Sequence, residues 1–484
     1  MNMTYYPRVS RAASGNPKRA LSVFAKDESG MMTIFACFMI LIMLMVGGIG
    51  VDLMRNEMER TRLQSIADRA VLAAADLDQS LDPEAVVQDY FAKSGVADYL
   101  SSVTVDQGLN FRTVTVNANS TMNTQFMSKL GVDTLSIPAS ARAEERVNKV
   151  EISMVLDISG SMNNGTKMQE MQNAAGEFID SVLTEDTEDL ISINLVPYSQ
   201  HVNAGEAIFD RMNVDIYDAF GDLTHDLSHC IEFENSDFNT VVLDTNRTYE
   251  HMQHFQSNTF SIAPAGVHNT VIDTVCPQYD YETITPMSQD ADALKAQIDL
   301  LRPRAGTQIF LGMKWAAAML DPSFRSINTS LIGGGQVDSE FAGRPVAYSD
   351  DETLKTIVLM TDGQNSSSRR IRDFYYRTDS LRNLWSRQNF SWYVQRFLRS
   401  DFDRYSYNKY DAATGDALLH NMCEAAKAQN IVIWSIGFEV LDHGADVMRS
   451  CASSPSHFFR VEGVEISDAF DAIARQINQL RLTQ

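Results

Sequence analysis

Positive charge is in short supply in this sequence: 40 Lys and Arg stand against 63 Asp and Glu, for a formal net charge of −23 over 484 residues. A surface this acidic repels phosphate, which excludes nucleic acid as the main partner. It suits an encounter with divalent cations, and it also serves solubility. Familiar catalytic signatures are missing as well. There is no Gly-x-Ser-x-Gly, no phosphate-loop lysine and no His-Glu-x-x-His, which removes the commonest hydrolase and nucleotide-binding layouts. Cysteine is scarce, with five in the whole chain. Cys37 lies inside an apolar run, and the other four are Cys230, Cys276, Cys423 and Cys451. Four cysteines allow three pairings. Cys230 with Cys276 and Cys423 with Cys451 are favoured, because each pair sits in its own segment. Disulfides would place this part of the chain outside the cytoplasm, whereas four buried free thiols are the alternative.

What is present begins with residues 31–51, which carry no charge and are as long as a membrane-crossing helix. Arg8, Arg11, Lys18, Arg19 and Lys26 precede the run, and Arg55, Arg60 and Arg62 follow it, a mild bias toward a cytoplasmic N-terminus. A cleaved secretory signal is the rival reading. The run continues into Asp52 and a helical pattern, which favours an uncleaved single-pass anchor with the N-terminus in the cytoplasm and the C-terminal part outside it.

Residues 1–30 are polar, basic and rich in Ser, Gly and Pro, the composition of a disordered cytoplasmic tail. From Asp52 to Asp76 the helical pattern persists, with Met54, Met58, Ile66, Ala70 and Ala74 near one face. Pro83 opens a short helix through Phe91, and apolar positions at Val103, Val105, Phe111, Val114, Val116 and across 135–143 mark strands. Residues 52–146 therefore read as a helical stalk and a small α+β module. From Val150 the texture changes. Nearly continuous apolar runs at 150–156, 190–196, 356–360 and 431–438 alternate with helical patterns at 168–183, 291–301, 309–320, 417–428 and 467–480. Buried strands separated by helices predict an α/β domain over 147–484, with a doubly wound, mostly parallel sheet covered on both faces. Two polar, aromatic-rich insertions interrupt it at about 200–288 and 364–415.

The strongest local signal is Asp157-Ile158-Ser159-Gly160-Ser161, directly after the first of these strands. Open α/β sheets bind ligands beyond the C-terminal ends of their strands. Alternate residues of a turn there present one carboxylate and two hydroxyls to one point, with Gly160 allowing the sharp bend. Oxygen-only donors suit a hard cation. Thr307, just before the helix at 309–320, offers a third hydroxyl, and Asp362, just after the strand at 356–360, a second carboxylate. Taken singly, Thr307 reads as a helix cap and Asp362-Gly363 as a turn.

These five residues resemble the metal-ion-dependent adhesion site (MIDAS) of von Willebrand factor A-type domains, which uses D-x-S-x-S, then a Thr, then an Asp at a later strand end. The resemblance implies that Asp157, Ser159, Ser161 and Thr307 ligate a divalent cation, Mg²⁺ foremost with Mn²⁺ or Ca²⁺ as alternatives. Asp362 would do so directly or through water, and a partner carboxylate would complete the shell. The N-terminal part, with Asp27-Glu28-Ser29-Gly30, the apolar run, Asp52 and then Gln64, Ala67, Asp68 and Ala70–Ala75, resembles TadG-like proteins of Tad/Flp pilus assembly. Residues 451–459 resemble the C-terminal part of the same group. That resemblance implies an envelope component whose partner is a pilin or another pilus-assembly protein, with a role in cell adhesion. No Glu follows Gly30 closely, which counts against prepilin-type cleavage.

Weaker signals remain. His225 and His229 at helical spacing with Cys230, then His251 and His254, suggest a zinc site, although scattered surface histidines are the expectation. The second insertion carries Arg369, Arg370, Arg372, Arg377, Arg382 and Arg387 among Tyr375, Tyr376, Trp385, Trp392, Tyr393 and Phe397. This is either a partner surface or a subdomain core. The expected function is carriage of a cation that grips a partner carboxylate, without catalysis. A metal-dependent hydrolase using the same residues and a scaffold with a vestigial site are the alternatives.

Overall fold

A computed structural model describes the chain except for residues 1–30, 77–80, 108–110, 147–148, 218–220, 222, 258–270, 351, 399–401 and 484. The expected N-terminal tail and the 27–30 motif lie outside the described residues. Two compact units divide between residues 146 and 147.

The first unit is organised by α1 (Met31–Ala75), one uninterrupted helix of 45 residues. Its first half is apolar and exposed, with Phe35, Ile40 and Leu44 on the surface, and it is long and apolar enough to cross a membrane. Its second half is amphipathic. Leu63, Ala67, Ala70, Val71 and Ala74 are buried, and the alanines let the helix lie close on a sheet. That sheet is antiparallel, in the order β1 (Leu100–Gln107), β2 (Phe111–Asn123), β3 (Thr134–Arg146). A short helix, α2 (Pro83–Lys93), adds Val86, Val87 and Phe91 to the same core. Met54 and Met58, expected near the apolar face, are instead exposed. β3 docks on the other side of α1, where Asn56 donates to the Ser136 carbonyl and Gln64 to that of Ser140.

The second unit is the doubly wound α/β domain. Its main sheet has six strands, β4 (Lys149–Asp157), β5 (Ile191–Tyr198), β6 (Thr285–Ser288), β7 (Thr353–Thr361), β8 (Val432–Phe438) and β9 (Phe458–Val461), in the order β9-β8-β7-β4-β5-β6, and the insertions add two small sheets. All neighbours are parallel except β5 and β6. The central strands are buried on both faces, as their unbroken apolar runs require. Helices α3 (Lys167–Val182), α4 (Ala291–Leu300), α5 (Ile309–Leu320), α6 (Ala412–Lys427), α7 (Asp442–Cys451) and α8 (Glu465–Thr483) cover the two faces and close two separate cores. Strands β6 and β9 carry no sequence signal of their own, being four residues long at the sheet edges. Helix α6 starts earlier than the pattern indicated, because the Asp411 side chain caps it by accepting from the Thr414 amide at 2.8 Å.

The insertions pack on each other and on the sheet domain. Ile371, Trp385, Phe390 and Val394 of the second meet Met252, Phe255 and the Cys230–Cys276 disulfide of the first. Trp385 thus fills a subdomain core as one reading had it, while Phe397 is exposed. Cys423 pairs with Cys451, joining α6 to α7. The first insertion also roofs α5, every residue of which is buried. Phe238 packs edge-on to Phe310, Phe233 to Trp315, and the Lys314 ammonium donates to the carbonyls of Thr240 and Val242 at 2.8 and 2.9 Å.

Candidate cation site at the crest of the sheet

Strands β4 and β7 are parallel neighbours, so the turns that follow them emerge on the same edge. Asp157 ends β4 and is fully buried, so its charge has to be met by donors. Oδ1 accepts the Ser159 amide at 2.7 Å. Oδ2 accepts the Thr361 hydroxyl at 2.6 Å and that of Tyr198 at 3.3 Å. Burial and the nearby negative charge of Asp362 together push the Asp157 carboxyl up to about 7, against the pull of the Thr361 and Ser159 donors.

The Ser159 and Ser161 hydroxyls lie 3.0 Å apart, and Ser161 donates to Asp362 Oδ1 at 2.5 Å. Gly160 between them runs so close to the next loop that an added Cβ would sit 3.0 Å from the Ala305 carbonyl, which its own amide already contacts at 3.1 Å. Thr307 borders the same spot: a Cβ added at Gly363 would lie 3.7 Å from Ser161 Oγ and 4.0 Å from Thr307 Oγ1. The cap position of α5 is Gln308, so the Thr307 hydroxyl is not engaged in capping. Asn365 satisfies the helix start by accepting from the Ile309 amide at 2.8 Å. All five residues named from the sequence therefore gather at one edge of the sheet.

Sequence reasoning missed several neighbours. Lys167, the first residue of α3, places its ammonium 3.0 Å from Asp362 Oδ2 and 3.4 Å from Glu439. A lysine at a helix start opposes the helix dipole, and that misfit was the available signal. Thr361 and Tyr198, which hold Asp157, gave none, since both lie within strands.

Chemically this is a set of hard oxygens, two carboxylates and three hydroxyls. One ammonium offsets only part of their negative charge, and the donor set fits a small divalent cation. Among the described residues no group of three or more His, Cys, Asp and Glu is arranged to hold a metal, so a cation at the crest relies on the hydroxyls.

The histidines are a correction. They are not scattered over the surface: the His225 ring lies 3.8 Å from that of His251 and 5.6 Å from that of His254, and the last two are buried. They are not poised for zinc either, because His225, His251 and His254 each commit at least one ring nitrogen to a protein partner. His225 Nε2 meets the Met252 carbonyl at 2.7 Å. His251 meets the Thr224 hydroxyl and the Ser228 carbonyl at 2.8 Å each, and His254 meets the Ser228 hydroxyl at 2.9 Å. Cys230 is committed to its disulfide. Burial lowers the His251 and His254 pKa values to about 4.

Strand order and crest together define the class, a doubly wound α/β domain with an oxygen-lined crest, in a chain with a long apolar N-terminal helix. Comparison with known families adds that residues 30–77 match the model described as "Putative Flp pilus-assembly TadE/G-like". No curated protein matches the chain significantly. Similar solved structures include the vWF domain of the type V pili tip protein Mfa5 from Porphyromonas gingivalis. It has 15% identity and a TM-score of 0.36, with 70% of this chain and 98% of that one covered. The pilus adhesin SpaC from Lactobacillus rhamnosus GG has 10% identity and a TM-score of 0.34, with 78% of this chain but 33% of that one covered, so the match spans a third of that adhesin. Proximal thread matrix protein 1 from the mussel byssus, solved with a zinc-occupied MIDAS motif, has 11% identity and a TM-score of 0.30, with 68% and 48% covered. Scores this low carry no weight, and the fold rests on the strand order.

Proposed function

We propose that this chain is a membrane-anchored, non-enzymatic envelope component of Tad-type pilus assembly that binds a carboxylate of a protein partner through a divalent cation. The domain plan is a tail over 1–30, an inner-membrane span over 31–51, a stalk and α+β module over 52–146, and the A-type domain beyond. The family match and the exposed apolar helix support the anchor and the pilus context. The two disulfides support a location of the A-type domain outside the cytoplasm.

The observation that carries the cation reading is the gathering of Asp157, Ser159, Ser161, Thr307 and Asp362 at the crest. Mg²⁺ bound there meets one uncompensated carboxylate, Asp157, because Lys167 already offsets Asp362. The cation then keeps positive charge that a partner carboxylate neutralises. The same pairing supports a non-catalytic role. Both oxygens of Asp157 accept hydrogen bonds, and Asp362 is engaged by Ser161 and Lys167, which leaves neither carboxylate as a general base.

The test is capture of envelope partners by the full chain in membranes, with and without chelator, for wild type and Asp157→Ala. Capture lost in both the chelated and the mutant samples, with melting showing a folded mutant, is the expected result. Capture indifferent to both overturns the reading.

A further inference from the structure

The C-terminal end of the apolar run is not left bare. Gly48 and Asp52, one helical turn apart on α1, both face the turn between β2 and β3. Asp52 is fully buried, and its two oxygens accept the backbone amides of Gln125, Phe126 and Met127 at 3.0, 2.8 and 2.9 Å. The Phe126 side chain lies so tightly on Gly48 that an added Cβ would meet its ring at 2.4 Å. Gly48 belongs to the uncharged run and Asp52 is the first charge after it. The turn is therefore pinned at the level where the apolar surface ends.

Past that pin the turn shows apolar side chains outward. Phe126 is 44% exposed, Leu130 50% and Val132 38%, with Lys129 exposed among them. Isolated apolar residues on a surface mean little. These are continuous with the bare flank of α1, where Met45, Val46 and Val51 are exposed.

We propose that the turn over 125–132 is a lipid-contacting wedge, seated in the interfacial layer of the same bilayer that α1 crosses. The inference rests on the anchor reading above and adds a second, non-helical contact with the membrane. At 1.5 Å of rise per residue, Gly48 lies about 5 Å inside the end of the run. A ring packed on it sits at the hydrocarbon boundary, where aromatic side chains are favoured and a lysine stem extends its ammonium to lipid phosphates. The three amides on Asp52 give the first charge beyond the span the solvation that headgroups would otherwise supply, and they fix the depth of the wedge. The sheet then points its other end away from lipid. There Arg112 donates to the Asp76 carbonyl at 2.5 Å, and Asp106 pairs with Thr113. At the usual rise along a strand, that pair is about 30 Å from the turn.

The experiment reconstitutes the full chain in liposomes and attaches bimane to a single cysteine in a Cys37→Ser background, the other four being disulfide-bonded. Probes at Leu130→Cys, Phe38→Cys and Asp106→Cys are exposed to lipid carrying acyl-chain nitroxide and to aqueous iodide. The expected result is loss of emission to nitroxide at 130 and 38, and to iodide alone at 106. If 130 behaves like 106 while 38 remains quenched by lipid, the anchor stands and the wedge is overturned. If 130 is shielded from both quenchers, a protein or a second copy covers the turn, and the wedge is again overturned. If 38 is not quenched by lipid, the anchor reading fails and takes the wedge with it. Asp52→Asn, which weakens the pin while keeping its shape, reduces nitroxide quenching at 130. Unchanged quenching overturns the depth-setting role.

Discussion

The crest of the sheet and the subdomain made by the two insertions both bury polar side chains, but they balance them differently. In and around the subdomain the buried ions are matched one to one. Arg370 pairs with Glu232, Arg304 with Glu282, and the clustered histidines with carbonyls and hydroxyls. At the crest two carboxylates share one hydrogen-bonded chain with a single ammonium. A buried polar cluster points to a ligand when its charges do not close on themselves, and the count of histidines or acids alone does not say so.

The largest effect tests whether the two regions are independent. Removing the 46-residue cross-link with Cys230→Ser and Cys276→Ser is expected to cost about 4 kcal/mol in the chain-entropy estimate. Denaturant unfolding monitored within the insertions should show it, with calorimetric Mg²⁺ affinity unchanged. An equal loss of cation binding breaks the comparison. Next comes acid. Burial holds His251 and His254 near 4, below the ordinary imidazole value of 6.5, so the unfolded chain takes up protons first. Their contribution is complete above 6.5 and is lost as pH falls toward 4, at about 3 kcal/mol for each ring. Hydrogen exchange across 225–256 should accelerate over that window beyond its intrinsic pH dependence, while β4 and β7 stay protected.

Cation binding sharpens the other side. Mg²⁺ at a hundredfold excess over Kd stabilises a one-site protein by about 2.7 kcal/mol. Melting should show this for wild type and not for Asp157→Asn. The smallest effect has the opposite sign. Lys167→Met removes the ammonium on Asp362, so Mg²⁺ should bind tighter by about tenfold, or about 1.4 kcal/mol, while partner capture weakens. Looser Mg²⁺ binding in that variant would show that Lys167 supports the site rather than competing for its charge.

Much of the sheet was legible because its strands are buried on both faces, which forces unbroken apolar runs, and α5 was found at its observed bounds. The five crest residues were legible because each sits at the end of an element, where a short polar signature survives. The remainder depended on contacts distant in sequence. Strands β6 and β9 exist only by pairing at an edge. Lys167 meets Asp362 across 195 residues of chain, and the histidines converge through a disulfide and loops without helical or strand periodicity.

The burial of α5 on every side has a practical consequence. A helix that is apolar all round has no face prepared for water, and the roof over it comes from residues 233–242. Trimming the domain to its strands and helices, a common step before crystallisation or display, would uncover Phe310 and Trp315 and strand the Lys314 ammonium. The insertions are structural walls of this domain, and expression fragments should be designed to keep them whole.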